Sequence, residues 1–250
     1  MIDILTLGGA ESNKLRTCPF VVLPVGSVEY HGPHAPLGTD TTLAVGFAKR
    51  IAARFSTIVL PPIAYSFAPH ITSRHQGTLS ISPEAFLAYL FEVMRALTRA
   101  GVSRILVING HSENQYSLRL AAEKLALEEP AVSVLYVNWW KLVDKPRPLQ
   151  VELFSDAGGH GHGGPLEIST TAAFERAGVH PEFGENIDYE SPWWKVAGQV
   201  VGAGQAPAGF KGYHGNVDEI DPKKGQALIE QVLEGLAQLV EEWLERAAQA

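Results

Sequence analysis

A chain of 250 residues with 46% hydrophobic and 19% charged side chains can bury a substantial core, which excludes disorder and favours one large α/β domain over 1–250 rather than two small ones. A net charge of -7 without a Lys- or Arg-rich run leaves no electrostatic footprint for nucleic acid or an anionic membrane, so a small-molecule or peptide substrate fits better. The single cysteine, Cys18, cannot make an internal disulfide, the first residues lack an export signal's basic start and apolar core, and no segment is apolar enough to span a bilayer; a cytoplasmic protein is expected.

The run over 20–25 has the length and β-branched content of a buried strand. It opens into a loop punctuated by Gly26, Gly32, Pro33, Pro36 and Gly38 that carries Glu29, His31, His34 and Asp40. Leu43, Phe47, Ile51 and Phe55 recur every four residues, predicting a helix over 41–55 with Thr39 or Asp40 as its cap. A β-type run over 57–63 leads into a polar loop over 64–82, with His70, Arg74, His75 and a Gly77-Thr78 turn, which is a candidate second wall of a site. Ser82-Pro83-Glu84 reads as a helix start, and that helix runs to about Ala100, where Gly101 stops it.

A short strand over 104–108 empties into Asn109-Gly110-His111-Ser112-Glu113-Asn114, followed by a helix to about Glu128 and a fourth strand over 132–137 ending at Asn138-Trp139-Trp140. Strands alternating with helices predict an α/β fold with a mainly parallel sheet. The segment 155–171 is glycine-rich and turns helical near Pro165, reaching about Ala177. Residues 180–221, with Trp193, Trp194 and a Gly-Ala-Gly segment at 202–204, read as a loop acting as a lid or as a contact between subunits. The last helix, 222–247, sets Leu228, Val232, Leu236, Leu239, Trp243 and Leu244 on one stripe that should pack on the sheet.

Polar groups just past the C-terminal ends of strands lie where ligands bind in open α/β sheets. In an extended segment Glu29 and His31 leave the same face, and Asp40 can return to it. His111 and Glu113 repeat that spacing after another strand, completing a mixed N/O donor set suited to Zn²⁺ or Mn²⁺, with a shared aspartate able to bridge two ions roughly 3.5 Å apart. The bland alternative, surface salt bridges and loop caps, accounts for one such pair more readily than for five ligands after strand ends. His162, in a glycine-rich setting near a helix start, is a candidate for proton exchange, with capping as its alternative. His34, His70, His75, His160, His180 and His214 are read as structural, and the tryptophan pairs as core or interface. His-Glu-x-x-His, Cys-x-x-Cys, Gly-x-Ser-x-Gly and Walker motifs are all absent, leaving little support for serine, cysteine or nucleotide chemistry.

The stretch LPVGSVEYHGPHAPLGTD at 23–40 resembles the creatininase (creatinine amidohydrolase) family signature LPxGSxEQHGPHLPLxTD. Asn109-Gly110-His111-Ser112-Glu113-Asn114 and His162-Gly163-Gly164-Pro165-Leu166-Glu167-Ile168-Ser169 resemble two further blocks, in the family's order, and the likeness covers roughly 18–240. The resemblance implies a three-layer α/β/α domain, often hexameric, with two divalent metals, Zn and/or Mn with Fe possible, at the strand ends. It implies Glu29 and His111 on one metal, His31 and Glu113 on the other, Asp40 bridging, Glu167 in reserve for Glu113, and His162 protonating the leaving nitrogen of an amide. Tyr30 and Ala35 depart from the signature beside the ligands, and Gly158-Gly159-His160-Gly161 stands where creatininases proper carry a tryptophan, whereas Trp139-Trp140 resembles their aromatic pair. The expected activity is hydrolysis of a non-peptide, cyclic amide such as creatinine. The alternatives are a formamide deformylase of flavin or deazaflavin biosynthesis, a mycofactocin-type metallopeptidase and a non-catalytic metal-stabilised binding module.

Overall fold

A computed structural model describes residues 1–145, 147–155, 159–187 and 209–247. In chain order the elements are β1 (Ile2–Asp3), α1 (Lys14–Thr17), β2 (Val21–Val25), α2 (Thr39–Arg54), β3 (Ile58–Val59), α3 (His70–Ser73), α4 (Pro83–Arg99), β4 (Arg104–Asn109), α5 (Asn114–Glu128), β5 (Ser133–Asn138), α6 (Leu149–Leu153), α7 (Pro165–Phe174) and α8 (Pro222–Ala247). The strands form one sheet in the order β1-β3-β2-β4-β5, with every pairing parallel.

Period-two alternation sorts the strand side chains into two cores, one on each sheet face. Val22, Leu106 and Ile108 join Leu43, Phe47 and Ile51 of α2 and Leu228, Val232 and Leu236 of α8 on one face. Val21, Leu23, Ile105 and Val107 join Phe86, Leu90 and Met94 of α4 and Leu118, Ala121 and Leu125 of α5 on the other. This is the expected three-layer α/β/α arrangement. On α8 the stripe is rotated from the expected one: Ile229, Ala237 and Val240 are buried, while Leu239 is exposed.

Three boundaries differ from the sequence reading. The run over 57–63 pairs as strand only at Ile58–Val59, with an isolated bridge from Val25 to Ile63, because Pro61 and Pro62 have no N–H to offer a ladder. Pro24 is tolerated inside β2 for a related reason: its carbonyl accepts from Ile63 N on the β3 side, where the ladder is already interrupted. Helix α2 starts two residues early, with Gly38 at its N-cap and Thr39 and Asp40 inside its first turn, so neither of those caps it. Helix α7 stops at Phe174 because Glu175 is extended. Of the segment 180–221, the described part includes an antiparallel bridge between Ile187 and Gly215; residues 188–208, with Trp193, Trp194 and the 202–204 segment, lie outside the described residues, as does Gly158.

From β2 the chain moves through α2 to β3, on one side; from β3 it crosses through α4 to β4, on the other. Right-handed crossovers in opposite directions put α2 and α4 on opposite faces. The C-terminal ends of β2 and β4 therefore diverge into a crevice, the switch point where open α/β sheets hold ligands.

Candidate metal centre

The crevice is lined by chain that leaves β2 and β4 and then starts a helix. Glu29 and His31 come from the loop after β2, Asp40 from the first turn of α2, and His111 from the loop after β4. A Cβ on Gly110 would lie 2.0 Å from Asp40 O, so only glycine lets the exit of β4 cross the start of α2 at this distance. His162 and Glu167 arrive from the loop before α7 and from its first turn. Gly163, at φ +67°, packs where a Cβ would meet His31 O at 2.3 Å, which brings that loop down onto the first one.

His31 Nε2 lies 3.1 Å from Asp40 Oδ1 and 3.8 Å from Glu167 Oε2. His111 Nδ1 lies 3.0 Å from both Glu29 Oε2 and Asp40 Oδ2. Glu29, His31, Asp40 and His111 are at most 4% exposed, whereas His162 and Glu167 are half-buried. Three groups place one donor atom per residue within 4.8 Å of one another: Glu29–Asp40–His111, His31–Asp40–Glu167 and Glu29–His31–His162. Asp40 belongs to the first two.

These donors fit divalent metal ions on three grounds. Each central histidine gives its other ring N–H to a backbone carbonyl, His31 Nδ1 to Glu29 O at 2.9 Å and His111 Nε2 to Phe67 O at 3.1 Å, which leaves the inward nitrogen with a free lone pair in the neutral ring. Among the described residues Glu29 Oε2 is buried without a hydrogen-bond partner although it lies 3.0 Å from His111 Nδ1; the two atoms are close but not aligned on each other, as two ligands of a third atom would be. The ion-pair partners of Glu29, Asp40 and Glu167 are all histidines, so among the described residues no lysine or arginine claims these carboxylates. Mixed imidazole and carboxylate sets of this kind suit Zn and Mn.

The remaining carboxylate oxygens are held by hydroxyls, one from the first loop and one from the 64–82 loop. Ser27 Oγ donates to Asp40 Oδ2 at 2.5 Å, and Thr72 Oγ1 donates to Glu29 Oε1. Thr78 Oγ1 accepts from Tyr30 N at 3.0 Å and donates to Thr72 O at 3.0 Å. The 64–82 loop, expected as a second wall, thus acts by orienting ligands through Thr72, Thr78 and the Phe67 carbonyl.

Without metal, protons balance the charge. Burial opposes charge on His31, but Asp40, Glu167 and Glu29 hold its imidazole up to about 10. His111 is likewise held well above its ordinary value, against burial, by Glu29 and Asp40. Burial disfavours the Glu29 carboxylate too, yet His111, His162 and His31 hold it down to about 2, and Asp40 is held well below its usual range against burial by His31 and His111. Burial pushes Glu167 up to about 7, with His31 opposing and Asp40 reinforcing. Burial and the neighbouring His31 push His162 down to about 4, so its ring is neutral near pH 7. Its Nε2 lies 2.8 Å from Tyr30 O; a carbonyl only accepts, so Nε2 carries the hydrogen and Nδ1 the lone pair.

Five of the expected site residues, Glu29, His31, Asp40, His111 and His162, come together, and Glu167 joins them. Glu113 does not: it is the N-cap residue of α5, half-buried, and outside all three donor groups. At Glu113 the backbone is already helical, φ -68° and ψ -21°, so the extended spacing that aligns Glu29 with His31 does not hold for His111 and Glu113. Burial raises the Glu113 carboxyl, partly offset by His111.

Asp40, His111, His162 and Glu167 border a cavity of about 290 Å³ whose other walls include Ser112, Trp139, Trp140 and His160. His160 and the tryptophan pair, read as structural from sequence, therefore face the same space as the donors, although Trp139 is also a core residue stacked on Phe47. The clustered Gly-His-Gly-His-Gly-Gly pattern was the available signal for His160; Thr72 and the Phe67 carbonyl had none.

A family model described as creatininase, creatinine amidohydrolase, matches residues 6–240. Among curated relatives, 3-dehydro-scyllo-inosose hydrolase of Thermotoga maritima is 32% identical over 132 residues, 52% of this chain and 42% of that protein. Mycofactocin precursor peptide peptidase of Mycobacterium tuberculosis is 37% identical over 133 residues, 49% of this chain and 52% of that protein. The matches thus span about half the length of these relatives. Crystalline creatinine amidohydrolase superposes with a TM-score of 0.84 at 23% identity over 97% of this chain and 98% of that one, which shows the shared fold; structures of creatininase in an Mn form and, for one mutant, a Zn-Zn form superpose at 0.83.

Proposed function

This chain belongs to the creatininase family, and we propose that it is a two-metal amidohydrolase acting on a small non-peptide, cyclic amide such as creatinine. The observation that carries this reading is Asp40, shared by Glu29–Asp40–His111 and His31–Asp40–Glu167, with both groups bordering an open cavity. A structural metal site is closed, whereas a site for chemistry keeps room for water and substrate, and this distinguishes the proposal from a metal-stabilised binding module.

Glu29, Asp40 and His111 would hold one cation, and His31, Asp40 and Glu167 the second, with Zn or Mn favoured by the donor chemistry and by the Mn and Zn-Zn forms of solved creatininases. Bound cations supply a Lewis acid for the amide carbonyl and a lower pKa for the attacking water. The chain's own part is positioning and proton transfer. His162, neutral and pinned through Nε2–H to Tyr30 O, offers Nδ1 to take a proton from the attacking water and return it to the leaving nitrogen. The His162 ring sits 4.0 Å from the His31 ring between centroids, beside the ligands. Trp139, Trp140, His160 and Ser112 surround the substrate. Cytoplasmic location and homo-oligomeric assembly belong to the same proposal; among the described residues no helix is long and apolar enough to cross a membrane.

A second reading, a metallopeptidase, is favoured by the 37% identity to the mycofactocin precursor peptidase. A screen of the Zn- and Mn-reconstituted protein on creatinine, other cyclic amides, formamides and short peptides separates the readings. Turnover of cyclic amides with peptides left intact is expected; peptide cleavage alone would replace the first reading with the second.

A further inference from the structure

His34 is wholly buried and belongs to none of the donor groups, yet the fold makes specific room for it. A Cβ on Gly32, whose φ is +96°, would lie 2.5 Å from His34 Cε1, and one on Gly184 would lie 3.0 Å from His34 Nδ1. The Tyr213 ring meets the imidazole edge-on at 4.7 Å between centroids. Among the described residues Nδ1 is buried without a hydrogen-bond partner, which a plain packing residue would not require.

What the imidazole gains is at its other end. Nε2 lies 2.8 Å from Gly163 O, and since that carbonyl only accepts, Nε2 donates. Gly163 follows His162, and its own N–H donates to Glu167 Oε2 at 2.8 Å. At φ +67° it is a glycine with the widest backbone freedom at the point where the third segment crosses His31. Fixing its carbonyl removes that freedom and sets where the Gly163 N–H, and with it the Glu167 carboxylate, comes to rest.

We propose that His34 is a positioning residue that acts through the Gly163 carbonyl to hold Glu167 and His162 against the loop carrying Glu29, His31 and Asp40. It touches neither substrate nor metal. The roles of Glu167 and His162 rest on the function proposed above, so the test reads metal binding and backbone protection rather than turnover alone.

The experiment compares wild type, His34→Leu and His34→Gln. Glutamine Nε2 reaches about as far as imidazole Nε2, whereas leucine fills similar space with no donor. Zn²⁺ is titrated calorimetrically into the metal-free chain, and hydrogen exchange is followed over 159–167. His34→Leu should keep its first equivalent of Zn²⁺, bind the second about tenfold or more weakly, and exchange faster over 159–167, while His34→Gln recovers wild-type values to within about threefold. A second-equivalent affinity in His34→Leu within about twofold of wild type overturns the proposal, as does a His34→Gln as impaired as His34→Leu, since the role would then be packing. Should His34→Leu not fold, His34→Asn, too short to reach Gly163 O, replaces it in the same comparison. If wild type binds only one equivalent, the two-metal reading fails instead, and the exchange rates alone decide the role of His34.

Discussion

At the residue scale the centre depends on one carboxylate. Asp40 faces both His31 and His111, so Asp40→Ala removes a ligand from two groups at once and should reduce bound Zn²⁺ from two per chain to near none, counted by elemental analysis after dialysis; two retained ions would exclude the bridge. His162→Ala removes only the proton carrier, so turnover should fall about 100- to 10,000-fold with metal content unchanged. Glu113 and Glu167 give a paired comparison. Glu167→Gln should lose the second equivalent, whereas Glu113→Gln, altered at a helix cap outside the donor groups, should keep both. The opposite result would restore the spacing argument. Glu29, His31 and Asp40 were readable because one continuous motif carries them and an extended loop keeps alternate residues on one face. The choice between Glu113 and Glu167 was not, because it turns on where α5 begins and on how α7 returns to the first loop, and neither is encoded in local spacing.

At the element scale, the strands and helices that pack whole faces were legible. Helix α4 shows why: Ser82 Oγ accepts from Ala85 N at 3.2 Å, Pro83 opens the first turn, and Phe86, Leu90 and Met94 are buried on one side, each contributing roughly 1.5–3 kcal/mol. The two-residue β1 was missed because Ile2–Asp3 has no periodicity to read, and α6 because five residues carry too little pattern. Close approaches of backbone are likewise invisible in a periodicity. Gly110→Ala tests the tightest of them at the site. Its methyl would meet Asp40 O, so α2 or the β4 exit must move, at a cost of about 2 kcal/mol or more in urea unfolding and with weakened Zn²⁺ binding. A stable, fully metal-loaded Gly110→Ala would mean that the crossing of β4 over α2 is looser than the 2.0 Å approach indicates.

At the scale of the whole molecule, the sheet order decides that these loops meet at all. The change of direction between β2 and β4 brings Glu29, His31, Asp40 and His111 together, and the loop before α7 adds His162 and Glu167 from more than a hundred residues beyond the first loop. Burying so many ionisable groups is tolerable only if their charges compensate, and in the metal-free chain protons on His31 and His111 provide that compensation. Because the His31 imidazole is held up to about 10 and His111 is also raised, both rings are protonated at neutral pH, and each must become neutral to serve as a ligand. Metal and proton therefore compete for the same lone pairs. Uptake of Zn²⁺ at pH 7.5 should release about two protons per chain, and apparent affinity should fall as pH is lowered, because the displaced protons then compete at higher concentration. Calorimetric titration in buffers of different ionisation enthalpy measures the release directly: the observed heat should vary with the buffer, with a slope equal to the protons released. A heat independent of buffer would mean that the inward nitrogens are already free of protons, and that the buried carboxylates are balanced in some other way.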